Sequence, residues 1–295
     1  LRCSVRLKLY DYGVLSLRLS FEARGSWNDL FALADCVRAD ERIPRFAEAT
    51  VLSLREAHLH AFDEPHPPLV EDYFIVEIDR FTETVDAETL LEEHSAAVAG
   101  LLLGEQKRLS TPETEEALRT RFSYYDDDLT IVQWDTAFVY DRQESARAIE
   151  DILEFANSQL LELRTYDALL DRELDTIYKM QPGGPARSLR GRAEAEKAAT
   201  LRYLIVDVLE LIDRSSNALK VVGDAYYARI YRTAATRLGL ADWQHQIDTK
   251  LASVGDMYRF LSDRARNRRD EFLEVIIIVL IALELIVGVA TLVHH

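Results

Sequence analysis

LTIVQWDTAFVYDRQESARAIEDILEFANSQLLELRTYDALLDRELDTIYK, residues 129 to 179, holds the change of period that decides the fold. Residues 129 to 141 are rich in β-branched and aromatic types and read as one strand, or as two joined at a sharp bend. From about Gln143 to Lys179 the pattern becomes a continuous helix about 55 Å long. Leu153, Leu160, Asp167 and Leu174 recur every seven residues, and Ile149, Ala156, Leu163, Leu170 and Ile177 form a second set offset by three. These are the two seam positions of a coiled coil, one of them holding the polar Asp167.

Upstream of this junction, strand and helix signals mix. SVRLKLY (4 to 10) and VLSLRLSF (14 to 21) alternate apolar and polar residues around Asp11 to Gly13, a hairpin pattern. Ser26 is a good N-cap for a helix reaching about Arg38, and EDYFIVEID (71 to 79) reads as a strand. Asp86 caps a helix that ends near Gly104. Residues 1 to 141 therefore describe an α+β head.

Downstream, PGGPARSLRGR (182 to 192) breaks the helix with two Pro and three Gly. A second long helix is expected from about Ala193 to Val222, stopped by Gly223, and Asp224 caps a short one ending before Gly239. The helical pattern resumes from Asp242. Residues 142 to 271 thus read as a long-helix antiparallel bundle or stalk with a basic linker at 180 to 192. Residues 275 to 293, VIIIVLIALELIVGVATLV, are nineteen residues broken by one charge, Glu284, and follow Arg264, Arg266, Arg268 and Arg269. A helix of that length reaches about 28 Å, close to a bilayer core of roughly 30 Å. The expectation is one C-terminal transmembrane helix over 272 to 295, a tail anchor with the bulk of the chain cytoplasmic. Glu284 at its middle is an intramembrane acid that points to contact between copies.

Composition sets outer bounds. The 295 residues carry 35 Lys+Arg against 51 Asp+Glu, a net charge of −16, with 48% hydrophobic residues, 11 Gly and 7 Pro. That is a globular, helix-leaning balance, not a disordered or collagen-like one. The acidity argues against direct DNA binding, which needs many phosphate-facing cations. Cys3 and Cys36, the two cysteines, make no CxxC pair and fit a reducing compartment.

No Gly-rich phosphate loop, nucleophile elbow or HExxH is present. His58, His60 and His66 lie in HLHAFDEPH, but residues two apart face different sides of a helix, and an exposed turn before Pro65 is the simpler reading. SYYDDDL (123 to 129) offers adjacent carboxylates at Asp126 to Asp128, where a solvated turn outweighs Mg²⁺ binding or acid–base work. No catalytic, cofactor or metal residue is therefore assigned. The linker from Lys179 to Lys197 sets five cations against two acids, and its tip, Arg187, Arg190 and Arg192, is a candidate partner-binding surface.

LGEQKRLS, RFSYYDDDLTIVQWDTAFVYD, LEFANSQLLELRTYDALLDRELDTIY, DAYYARIYRTAATRLGL and MYRFLSDRARNRRDEFLEVIIIVLIALELI together resemble the YagE-like family, whose eukaryotic members are the required-for-meiotic-nuclear-division proteins. The resemblance covers about Asp72 to Val293. It implies a non-enzymatic, homo-oligomeric scaffold that holds ribosomes or other translation components at a membrane, here the bacterial inner membrane with lipid as a partner. It brings no catalytic residues. An alternative by architecture alone is a CorA-like ion-conducting or ion-sensing ring with Glu284 near its axis.

Overall fold

The structure, a computed structural model, describes residues 2–57, 69–83, 85–141, 145–179, 199, 205–206, 208, 224–257 and 259. The chain divides into two compact units, one of Leu1–Thr165 with Arg214–Gln244 and the other of Tyr166–Asp213 with His245–His295.

The first unit has six described strands, two in a hairpin and four in a central sheet. β1 (Arg2–Leu9) and β2 (Leu15–Glu22) pair antiparallel as a separate hairpin, and Gly13 takes φ +88 at its turn. α1 (Trp27–Ala39) begins at Ser26, which forms a capping box with Asp29, as the sequence led us to expect. α2 (Arg42–Ala57) follows; it buries none of its residues and was not foreseen. β3 (Phe74–Ile78), β4 (Arg121–Phe122), β5 (Asp128–Val132) and β6 (Thr136–Asp141) make a sheet ordered β3-β6-β5-β4, with β3 parallel to β6 and the other pairs antiparallel. α3 (Ala87–Leu103) and α4 (Thr111–Ala117) lie between β3 and β4 in the chain.

Residues 129 to 141 are two strands, bent at Gln133 to Asp135. Every residue of β5 and β6 is buried because helices cover both faces of the sheet. Leu129, Ile131, Phe138 and Tyr140 join one core with Leu90, Val98, Leu101 and Leu102 of α3. Their alternates Val132, Ala137 and Val139 join another with Ile149, Leu153 and Ala156 of α5 (Ala146–Lys179) and Ile230 and Tyr231 of α6 (Ala225–Arg237). A strand covered on both sides reads as a nearly unbroken apolar run, which explains the sequence there.

α5 keeps its expected length, and its heptad residues from Ile149 to Leu163 are buried within a single chain. Ile149, Leu153, Ala156 and Leu160 pack in the second core, with Leu163 buried beyond them. In the second unit, Leu170, Ile247 and Val254 are buried, and helical residues run from 245 to 257. The polar seam residue Asp167 has a partner there. Lys250 Nζ lies 2.7 Å from both Asp167 and Asp171, so the acid is answered within the chain by a cation.

The expected C-terminal span over 272 to 295 is corrected. Among the described residues, no helix is long and apolar enough to cross a membrane, and the run from 275 to 293 lies outside them. The α+β content stands, whereas the transmembrane element and the single-span inner-membrane placement drawn from it do not. The physical reason is that an apolar run reports burial without saying whether lipid or protein supplies it. Glu284 and the juxtamembrane Arg264, Arg266, Arg268 and Arg269 also lie outside the described residues, as does most of the expected second long helix.

Two glycines in helical segments separate packing from propensity. A Cβ on Gly100 of α3 would stand 2.8 Å from the Glu105 carbonyl oxygen and 3.0 Å from Phe31 Cζ of α1. One on Gly255 would meet nothing within 4 Å. Gly100→Ala should lower stability by about 1–3 kcal/mol, whereas Gly255→Ala should raise it by up to about 1 kcal/mol. Chemical denaturation of the two variants checks this, and shifts of the same sign would contradict it.

Candidate functional site

The described residues with the most distinctive chemistry lie where the β1–β2 hairpin meets α5. Cross-strand partners share a face of the hairpin, so Arg6↔Arg18 and Lys8↔Ser16 lie on one side and Val5↔Leu19, Leu7↔Leu17 and Leu9↔Leu15 on the other. The polar side meets α5. Arg18 donates from Nη1 to Glu150 at 2.7 Å, from Nη2 to Asp151 at 2.6 Å and from Nε to Glu154 at 2.9 Å. Glu150 and Glu154 are four apart and so stand above one another on one helix face. A guanidinium with a planar fork of five donors can answer three carboxylates, which an ammonium could not do with equal geometry.

The tip of the hairpin adds two tyrosines. Tyr10 donates to Glu154 Oε1 at 3.2 Å, and the Tyr12 hydroxyl lies 2.6 Å from Ser158 Oγ, one turn further along α5. Their rings stack at 5.0 Å, and Lys8 Nζ sits 4.4 Å above Tyr10 and 3.9 Å from Glu154. Burial pushes both phenols well above their ordinary range, and the neighbouring Glu154 adds to the rise at Tyr10. Both act as neutral hydrogen-bonding groups.

A second acid extends the network into the central sheet. Glu77 on edge strand β3 is hydrogen-bonded to Glu150, and its carboxyl is pushed up to about 7, first by desolvation and then by repulsion from Glu150, Asp79 and Asp141. Glu77 is thus only partly ionised near neutrality, beside an acid that also accepts from Arg18.

Arg18 holds the polar side of β2 to α5, and on the apolar side the leucines of β2 are half-buried while those of β1 are exposed. β1 is exposed along Cys3 to Leu9, whereas β2 is half-buried, so β1 is the outer edge. Val5, Leu7 and Leu9 are 51%, 43% and 65% exposed.

The acids singled out in SYYDDDL do not converge on a reaction centre. Asp126 is exposed in the turn, whereas Asp128 is buried and accepts the backbone N–H of Tyr124 at 2.9 Å, that of Tyr125 at 2.5 Å and the Tyr226 hydroxyl at 3.1 Å. Its work is to tie the loop before β5 to α6. Among the described residues, no group of three or more His, Cys, Asp or Glu is arranged to hold a metal ion. His58, His60 and His66 lie outside them, as do Arg187, Arg190 and Arg192.

The sequence reading missed Arg18. A signal was available: it is the lone cation in VLSLRLSF, and IEDILE places Glu150, Asp151 and Glu154 on the helix that the heptads define. Nothing in the sequence alone joins the two, since they are more than 130 positions apart.

An α+β head carrying a docked N-terminal hairpin is the class of structure defined by these residues. Residues 1–146 match the family described as "Uncharacterized protein MJ0711, N-terminal domain". The chain is 25% identical over 214 residues to "Uncharacterized protein MJ0711" of Methanocaldococcus jannaschii, covering 72% of this chain and 65% of the relative's length. No solved structure matches the chain. The family model includes residues 1 to 70, for which the sequence reading had no counterpart, and neither match links the chain to the YagE-like family. The transmembrane part of that expectation is set aside, since no described helix is long and apolar enough to cross a membrane.

Two outcomes follow from the network. Arg18→Ala should free the hairpin, speeding amide exchange in β1 and β2 roughly thirtyfold, or about 2 kcal/mol, while β5 and β6 keep their protection. Arg18→Lys should fall between. Uniform loss across the sheet would show that the contact is not local. For Glu77, the folded carboxyl binds its proton more tightly than the unfolded one, whose ordinary value is 4.5. The stability this gives is full below pH 4.5 and is lost as pH rises through about 7. Glu77→Gln should therefore flatten the melting profile over this range, with a gain over the native chain above pH 7. Because Glu77 is partly exposed, the gain should not exceed about 1 kcal/mol.

Proposed function

We propose that this chain is a non-enzymatic interaction module whose working part is the β1–β2 hairpin. The observation that supports this is the direction of its two faces. Arg18 turns inward to α5, whereas Val5, Leu7 and Leu9 are exposed. A half-buried strand ordinarily does the reverse, covering its apolar side and wetting its polar one. An exposed apolar stripe rimmed by polar residues marks a contact surface.

The hairpin is also held as such a surface should be. Arg18, Tyr10 and Tyr12 fix it at three points along two turns of α5, so it meets a partner without first being ordered. The net charge of −16 keeps copies apart at long range, which suits contact through a small and specific patch.

Replacing Val5, Leu7 and Leu9 together by Thr tests the reading, since Thr keeps strand propensity. The melting midpoint of the dilute protein should stay within about 2 °C, as for surface substitutions, and binding of an apolar dye to the native state should fall. A drop of about 10 °C would mean that the face is part of the folded core, since each buried leucine is worth about 1.5–3 kcal/mol. Unchanged dye binding would equally remove the face from consideration.

A further inference from the structure

We infer that the outer edge of β1 accepts an extended segment in which apolar and acidic residues alternate. The inference rests on reading the hairpin as the interaction part, and it names the chemistry of the partner. β1 is eight residues long, pairs among the described residues only with β2 and is exposed from Cys3 to Leu9, so its outer edge offers backbone donors and acceptors to an added strand.

Charge selects what can be added. Arg6 is exposed and makes no ion pair among the described residues, whereas Arg18 directly opposite is answered by Glu150, Asp151 and Glu154. Like charges facing across a pair of strands are unfavourable, so α5 relieves one half of the Arg6–Arg18 pair and leaves the other unmet. Lys8, two residues along the same face, is 44% exposed and holds Glu154 only at 3.9 Å. An incoming strand with acids beside Arg6 and Lys8 would place its alternate residues beside Val5, Leu7 and Leu9.

The same cations disfavour a second β1. Antiparallel self-pairing that sets Leu7 beside Leu7 puts Arg6 beside Lys8, and the register that sets Val5 beside Leu7 puts Arg6 beside Arg6. A basic segment is rejected for the same reason.

The test uses the full chain and three labelled eight-residue peptides read by fluorescence anisotropy. One alternates Val and Glu, one alternates Val and Lys, and one is the acidic peptide N-methylated at every second amide. The acidic peptide should bind about tenfold more tightly than the basic one, and N-methylation should abolish binding. Arg6→Gln should narrow the preference, Arg6→Glu should remove it, and exchange protection should appear at residues 3 to 9. Equal binding of both peptides, indifference to N-methylation or protection elsewhere would overturn the inference while leaving an interaction hairpin in place. So would failure of the acidic peptide alongside self-association that Arg6→Glu does not alter, since the occupant would then be a second copy. Failure of every peptide together with a large loss of melting temperature in the Thr-substituted face would sink the interaction reading itself.

Discussion

One guanidinium set against three carboxylates governs how the N-terminal hairpin is presented. Arg18 is only 16% exposed, and a partly buried cation must find counter-charge or lose its hydration at a cost of several kcal/mol. Glu150, Asp151 and Glu154 supply it on adjacent turns of α5. Because strand side chains alternate, fixing Arg18 downward fixes Leu17 and Leu19 upward, with Val5 and Leu7 beside them. A slip of one residue would bury the leucines against acids and send the arginine into solvent. The polar contact therefore sets register as well as attachment.

Beneath this, the two inner strands of the central sheet, β5 and β6, are closed to solvent on both faces, and polar groups there serve to hold loops. Asp128 gathers the Tyr124–Tyr125 loop, Gln133 donates to the Ala117 carbonyl at 2.6 Å, and Tyr140 donates to the Val85 carbonyl at 2.7 Å. Each satisfies a backbone group that would otherwise be stranded at the end of a helix or strand. These buried polar groups are thereby committed to architecture.

Local signals were legible from sequence wherever one short-range rule decided the outcome. Ser26 and Asp86 cap helices, Gly104 ends α3 at φ +67, Asp224 caps α6, and the heptads give α5 to within three residues. α2 was missed because it buries nothing, so no periodicity forced by a core marks it. The bend at Gln133 to Asp135 was left open, since two strands covered on both sides carry no alternation to show where one stops. The seam position of Asp167 was legible, but its partner Lys250 was not, because period alone cannot tell whose side chain fills a seam. The hairpin's inverted faces were hidden for a similar reason: alternation shows that the faces differ, not which one finds a helix.

The distance along the chain between Arg18 and its acceptors bears on how the molecule is made. The hairpin is synthesised 132 to 136 residues before the carboxylates that will hold it. At about 5–20 residues per second it waits roughly 7–27 s before α5 can engage it. During that interval a long apolar strand beside identical nascent chains is an aggregation hazard, and charged residues next to such strands act as gatekeepers. Arg6 and Lys8 stand in that position, so the cations that later shape the finished edge also protect it before the rest of the fold exists.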